Sequence, residues 1–137
     1  GVPLNPYQKY QQQSVMTMTQ GEMLTKLYDE VIRQLHAAKR FNLDKDYEAA
    51  NIASQKAQKI LRHLNSTLDF QYEVSNNLSA LYEYFIHSLI QANLHKDNGP
   101  IEELLPMIDE LRETFIQADH NVRCGDTQGG AGATAVL

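Results

Sequence analysis

Tryptophan is absent from this 137-residue chain and cysteine occurs once, at Cys124, so no internal disulfide can staple the fold. No apolar run approaches the roughly 18 residues that a membrane-spanning helix requires, and no basic stretch followed by a hydrophobic one opens the sequence. Neither membrane insertion nor a secretory leader is expected, and the lone thiol suits a reducing cytosol. Glycine is scarce and badly spread: Gly125, Gly129, Gly130 and Gly132 crowd into the ending CGDTQGGAGATAVL, so residues 124–137 read as a flexible tail. Basic residues are outnumbered by acidic ones, 12 to 17, leaving a net charge of −5. That surplus would repel a phosphate backbone, which argues against nucleic acid as a partner.

The signatures of catalysis are missing too. There is no Gly-rich phosphate loop and no Gly-x-Ser-x-Gly elbow. A di-metal site in a helical bundle needs inward glutamates and two Glu-x-x-His pairs, neither of which occurs. Glu83 and His87 sit four apart on a polar helix face, and His36, His63, His95 and His120 are scattered without ligand spacing, so all are read as surface groups. Cys124 lacks a partner pattern that would make it a nucleophile. No enzyme activity, metal or cofactor is expected.

What is present is helical periodicity. Hydrophobic residues make up 42% of the chain, enough for one continuous core in a single domain. No Asn-Gly or Asp-Gly signal lies between β-branched runs, and the apolar residues recur at spacings of three and four. A first helix is expected from Thr19, where Thr19-Gln20-Gly21-Glu22 spells a capping box, with Met23, Leu24, Leu27, Tyr28, Val31, Ile32 and Leu35 as its apolar face. Asn42 and Asp44 mark a turn. A second helix over about 46–68 turns Ala50, Ala53, Ala57, Ile60, Leu61, Leu64 and Leu68 inward. A third over about 74–95 carries Val74, Leu78, Leu81, Tyr82, Phe85, Ile86, Leu89 and Ile90. Asn98-Gly99-Pro100 breaks the chain before a fourth helix bearing Ile101, Leu104, Leu105, Ile108, Leu111, Phe115 and Ala118. Within that helix Pro106 either sets a new start or introduces a kink. The expected fold is all-α: an antiparallel up-down four-helix bundle over 19–123, between an N-terminal leader (1–18) and the tail.

The leader does not fit a disordered composition. Tyr7, Tyr10, Val15, Met16 and Met18 follow neither helical nor strand spacing, yet disordered segments are usually poor in such side chains. They read as groups that pack on the bundle or on a partner.

Taken in order, Asn5-Pro6-Tyr7, Tyr10, Ser14-Val15, Thr19 with Gly21-Glu22, and Leu27-Tyr28-Asp29 resemble the N-terminal half of the FliS family of flagellin-specific export chaperones of bacteria. The likeness continues through Lys56-Ala57, Ile60-Leu61, Leu64-Asn65 and Leu68-Asp69. It is strongest at Asn77-Leu78-Ser79-Ala80-Leu81-Tyr82-Glu83-Tyr84, followed by Gln91-Ala92-Asn93. Gln20 replaces a frequent proline, Glu30 a frequent glycine, Phe70-Gln71-Tyr72 a more polar turn, and Phe115 a frequent tryptophan. These departures bear on client choice.

The resemblance implies a cytosolic bundle that binds the C-terminal segment of flagellin, prevents early polymerisation and supports delivery to a flagellar export gate component. It implies a client groove drawn from Leu24, Leu27, Tyr28, Val31, Leu64, Leu68, Leu81, Tyr82 and Phe85. Tyr7, Tyr10 and Val15 would form a movable lid over that groove. A homodimer is left open, and a self-associating helical adaptor without an unfolded client is the alternative reading.

Overall fold

A computed structural model describes residues 20–123 of the chain. The leader, the Thr19 cap and the tail, with Tyr7, Tyr10, Val15 and Cys124, lie outside the described residues. Four helices account for nearly all of the rest: α1 (Gln20–Leu43), α2 (Tyr47–Ser66), α3 (Val74–His95) and α4 (Gly99–Arg123). The described residues contain no strand.

The short connections are closed by the backbone itself. After α1, Lys45 takes a left-handed conformation (φ 59°), and the Asp46 amide donates to the Phe41 carbonyl at 2.8 Å, the long bond of a Schellman stop. Asp46 then caps α2, its Oδ1 accepting from the Ala49 amide at 3.2 Å. Lys96 (φ 50°) ends α3 in the same way, with the Asp97 amide donating to the Ala92 carbonyl at 3.0 Å. The helix expected to reach Leu68 stops at Ser66, because the Ser66 and Thr67 hydroxyls donate back to the carbonyls of His63 and Leu64.

Cross-helix pairs fix the direction of each element. Lys39 near the end of α1 meets Glu102 at the start of α4, and Asp29, earlier in α1, meets Arg112, later in α4. Asn51 in the first turns of α2 accepts from Asn93 near the end of α3 at 2.6 Å. These pairings are antiparallel. Each helix packs on its neighbour in sequence and α4 returns to α1, with the α3–α4 seam the sparsest of the four. The result is the antiparallel bundle.

The core runs along its axis: Leu24, Tyr28, Val31, Leu35, Leu61, Leu78, Tyr82, Phe85, Leu89, Leu104, Ile108 and Phe115 are buried. The alanines Ala53 and Ala57 of α2 are buried as well, and small residues there let the helices approach closely. Gly21 serves the same purpose between α1 and α4, since a Cβ there would collide with the Asp119 side chain. Two members of the expected stripes are exposed instead, Met23 and Val74. Each lies in the first turn of its helix, at the outer edge of the apolar arc. Pro106 neither starts nor ends a helix: α4 runs through it, and the residue faces solvent.

One end of the bundle is held by polar groups. Asn42 donates to Asn98 (2.8 Å), Asn98 to the Lys39 carbonyl (3.0 Å), and Lys96 to Asn93 (2.7 Å). The opposite end, where α1 begins and α4 finishes, opens into grooves.

Candidate functional site

The residues expected to line a client groove separate into two classes. Tyr28, Val31, Tyr82 and Phe85 are at most 1% exposed and belong to the core. Tyr28 and Tyr82 share a hydroxyl–hydroxyl hydrogen bond of 2.5 Å in the bundle centre, and Phe115 stacks on the Tyr28 ring with centroids 5.8 Å apart. Burial pushes both phenols above their ordinary range, so they remain neutral donors and acceptors. In this state, Tyr28, Val31 and Tyr82 shape the scaffold and have no surface to offer. Helical spacing placed them correctly on the apolar face but could not tell its centre from its edges.

The remaining residues border two surface grooves, with Leu27, Leu68 and Leu81 half-buried and Leu24 and Leu64 buried beneath them. Leu24, Leu27 and Leu64, joined by Gln20, Met23, His63 and Thr67, line a trough of about 200 Å³ between α1 and α2. Half-buried Leu68 follows just beyond it in the connection to α3. Leu81, with Met107, Glu110, Leu111 and Thr114, lines a second groove of about 250 Å³ between α3 and α4, with the buried Phe85 at its floor. In the closed order α1–α2–α3–α4 these grooves occupy opposite sides of the bundle. A larger trough between α1 and α4, about 440 Å³, is lined by Glu22, Thr25, Lys26, Asp29, Ile116 and Asp119. Five of its six lining residues carry polar or charged groups, yet Ile116 and the aliphatic stems of the others leave most of its exposed lining apolar.

Met23 and Met107 are the functional candidates that spacing missed. Met23 falls within the apolar stripe of α1, and Met107 lies outside the expected stripe of α4, next to Pro106. They are 44% and 37% exposed, and each lines one of the apolar grooves. An unbranched thioether adapts to whatever shape is presented to it, which suits a surface that accommodates another chain.

Charge around the grooves is ordered by ion pairs. On α1, hydrogen bonds from Arg33, then Gln34, hold the Glu30 carboxyl below its usual range. On α4, Arg112 bonds Asp29 across the helix seam, which raises its already high basicity, and it also reaches Glu113 at 2.8 Å. Among the described residues no group of three or more His, Cys, Asp or Glu side chains could hold a metal ion, and no helix is long and apolar enough to cross a membrane. The arrangement is a helical support carrying shallow, largely apolar grooves between adjacent helices.

Comparison with known proteins agrees with that description. The family described as flagellar protein FliS matches residues 3–122, a span that includes most of the leader. The chain is 35% identical over 128 residues to the flagellar secretion chaperone FliS of Bacillus subtilis (strain 168), covering 93% of this chain and 96% of that protein. The flagellar secretion chaperone FliS of Escherichia coli (strain K12) is 30% identical over 108 residues, 77% of this chain and 79% of its own length. That of Salmonella typhimurium (strain LT2) is 33% identical over 107 residues, with 76% and 79% covered. The chain belongs to the FliS family of flagellar proteins.

Proposed function

We propose that this protein is a chaperone of flagellar secretion that binds the C-terminal segment of flagellin in the cytosol, keeps it from polymerising early and supports its delivery to the export gate. The observation that carries this reading is the near full-length likeness to a protein named for flagellar secretion chaperoning. The apolar trough between α1 and α2 supplies a physical means. A client segment that forms helices in a finished filament exposes apolar faces while monomeric, and laying such a face into the trough hides it from other copies. Met23 and Leu27 provide the accessible apolar contact there, over the buried Leu24 and Leu64, with Leu68 extending the surface toward α3. Tyr28, Val31 and Tyr82 act beneath it, as the packed floor that keeps α1 and α2 in register.

The leader has a place in this scheme. The leader joins α1 at Gln20, which itself lines the trough, and that connection supports the reading of Tyr7, Tyr10 and Val15 as a lid over it. As a lid they would shield the trough when no client is bound and rearrange when one arrives. Ordering the client costs about 2–5 kcal/mol, which moderates affinity and permits hand-over without ATP.

Calorimetric titration with a peptide covering the C-terminal helical segment of flagellin tests the reading. Saturable one-to-one binding with a negative heat-capacity change is expected. Met23→Asp, a change at an exposed position, should weaken it about tenfold, the cost of spoiling one apolar anchor. Absence of binding at micromolar concentrations would overturn the proposal and return the chain to the self-associating adaptor reading.

A further inference from the structure

The groove between α3 and α4 lies on the side of the bundle away from the proposed client trough, and its charge is one-sided. On the α4 side the groove is lined by Met107, Glu110, Leu111 and Thr114, and Glu103, one turn before Met107, continues the face of Met107, Glu110 and Thr114 at i, i+4, i+7 and i+11. On the α3 side the lining is Leu81 and Phe85; Asn77, Tyr84 and Ser88, which share the helix face of Leu81 by the same spacing, carry no charge, and α3 contains neither Lys nor Arg along its whole length.

The other acids of α4 are engaged. Glu102 faces Lys39 at 3.8 Å, Glu113 accepts from Arg112 at 2.8 Å, Asp109 lies within the field of Arg112, and Asp119 packs against α1 at Gly21. Glu103 and Glu110 are left as exposed carboxylates without a cation among the described residues. They stand seven residues apart, two helical turns or about 10.5 Å. The nearest basic side chain on α4, Arg112, is turned away toward Asp29. Between the two carboxylates lies Met107, and the groove floor is Leu81, Phe85 and Leu111. At about 250 Å³ the groove is smaller than the ~300 Å³ at which small-molecule pockets begin, so it suits side-chain anchors of a larger partner.

We infer that this groove docks an amphipathic helix of a partner protein other than the client, a helix with lysine or arginine along one edge of its apolar stripe. Its apolar residues at i, i+3, i+4 and i+7 would enter between Leu81 and Met107. Its basic edge would lie over α4, with two cations about two turns apart opposite Glu103 and Glu110. The uncharged edge would lie over Asn77, Tyr84 and Ser88. Complementary rim charge sets orientation and speeds encounter, and its contribution falls with salt.

The test is fluorescence anisotropy of the full-length chain with two dye-labelled 14-residue helical peptides, one with a leucine stripe flanked on one edge by lysines, the other with glutamates in their place. The lysine peptide should bind saturably and the glutamate peptide should not. Replacing Glu103→Lys together with Glu110→Lys should weaken binding by about tenfold or more, and Met107→Ser should weaken it several-fold. Asp44→Lys with Glu48→Lys, the same change in charge at the far end of the bundle, should leave it within about twofold. Binding of the flagellin peptide should persist in the Glu103/Glu110 variant.

Equal weakening by the two charge-reversal pairs would mean only general attraction to an acidic protein and would overturn the inference, as would indifference to Met107→Ser. Three outcomes would assign the groove to another occupant. Loss of flagellin binding in the Glu103/Glu110 variant would make it part of the client site. Lysine-peptide binding that emerges only after Tyr7→Ala and Tyr10→Ala would give it to the chain's own leader. A dimer dispersed by the same charge reversal would give it to a second copy.

Discussion

Two hydroxyl groups, those of Tyr28 and Tyr82, share one hydrogen bond among the packed aromatic and aliphatic side chains of the core. The unfolded chain releases its phenolic protons near pH 10, whereas burial keeps these two protonated in the folded state. Stability from the pair is therefore complete below about pH 10 and falls as pH rises beyond it, by up to about 1.4 kcal/mol per pH unit for each tyrosine. Urea unfolding between pH 9 and 11 reads this slope directly. Tyr28→Phe with Tyr82→Phe should flatten it, and an unchanged slope in the double variant would contradict the assignment. The two rings also mark where sequence stops informing. Period and family likeness placed Tyr28 and Tyr82 on the apolar face, but whether such a residue faces the bundle axis or its rim depends on which helices flank it, and spacing within one helix does not contain that information.

Among the elements, α3 shows how far pattern carries. Its limits, 74–95, were legible because its apolar stripe is unbroken and the left-handed stop at Lys96 lies just before Asn98-Gly99-Pro100. The end of α2 was not, since Ser66 and Thr67 bind their own helix carbonyls, a competition that apolar spacing ignores. Pro106 left two arrangements open, and the continuous α4 resolves them. A proline there lacks the amide that would donate to the Glu102 carbonyl, one turn before it. With the residue exposed, Pro106→Ala adds that bond without disturbing the core. Thermal unfolding should therefore show a gain of about 1–2 kcal/mol, less than the full helix-interior penalty because the unfolded chain also regains freedom. A loss of stability would mean that the proline holds α4 in a curvature the core requires.

For the whole molecule, a polar clamp of Asn42, Asn98, Asn93 and Lys96 secures one end while apolar grooves open toward the other on opposite sides. The bundle and its family likeness were legible in the sequence. The division of the apolar face into buried core and surface grooves was not, because it arises only once four helices meet. The most direct measurement of the central claim is hydrogen exchange of the full-length chain with and without the flagellin C-terminal peptide. Increased protection across 20–28 and 61–68, together with altered exchange across 5–18, is the result this account predicts. Bound peptide with unchanged exchange in all three segments would contradict it.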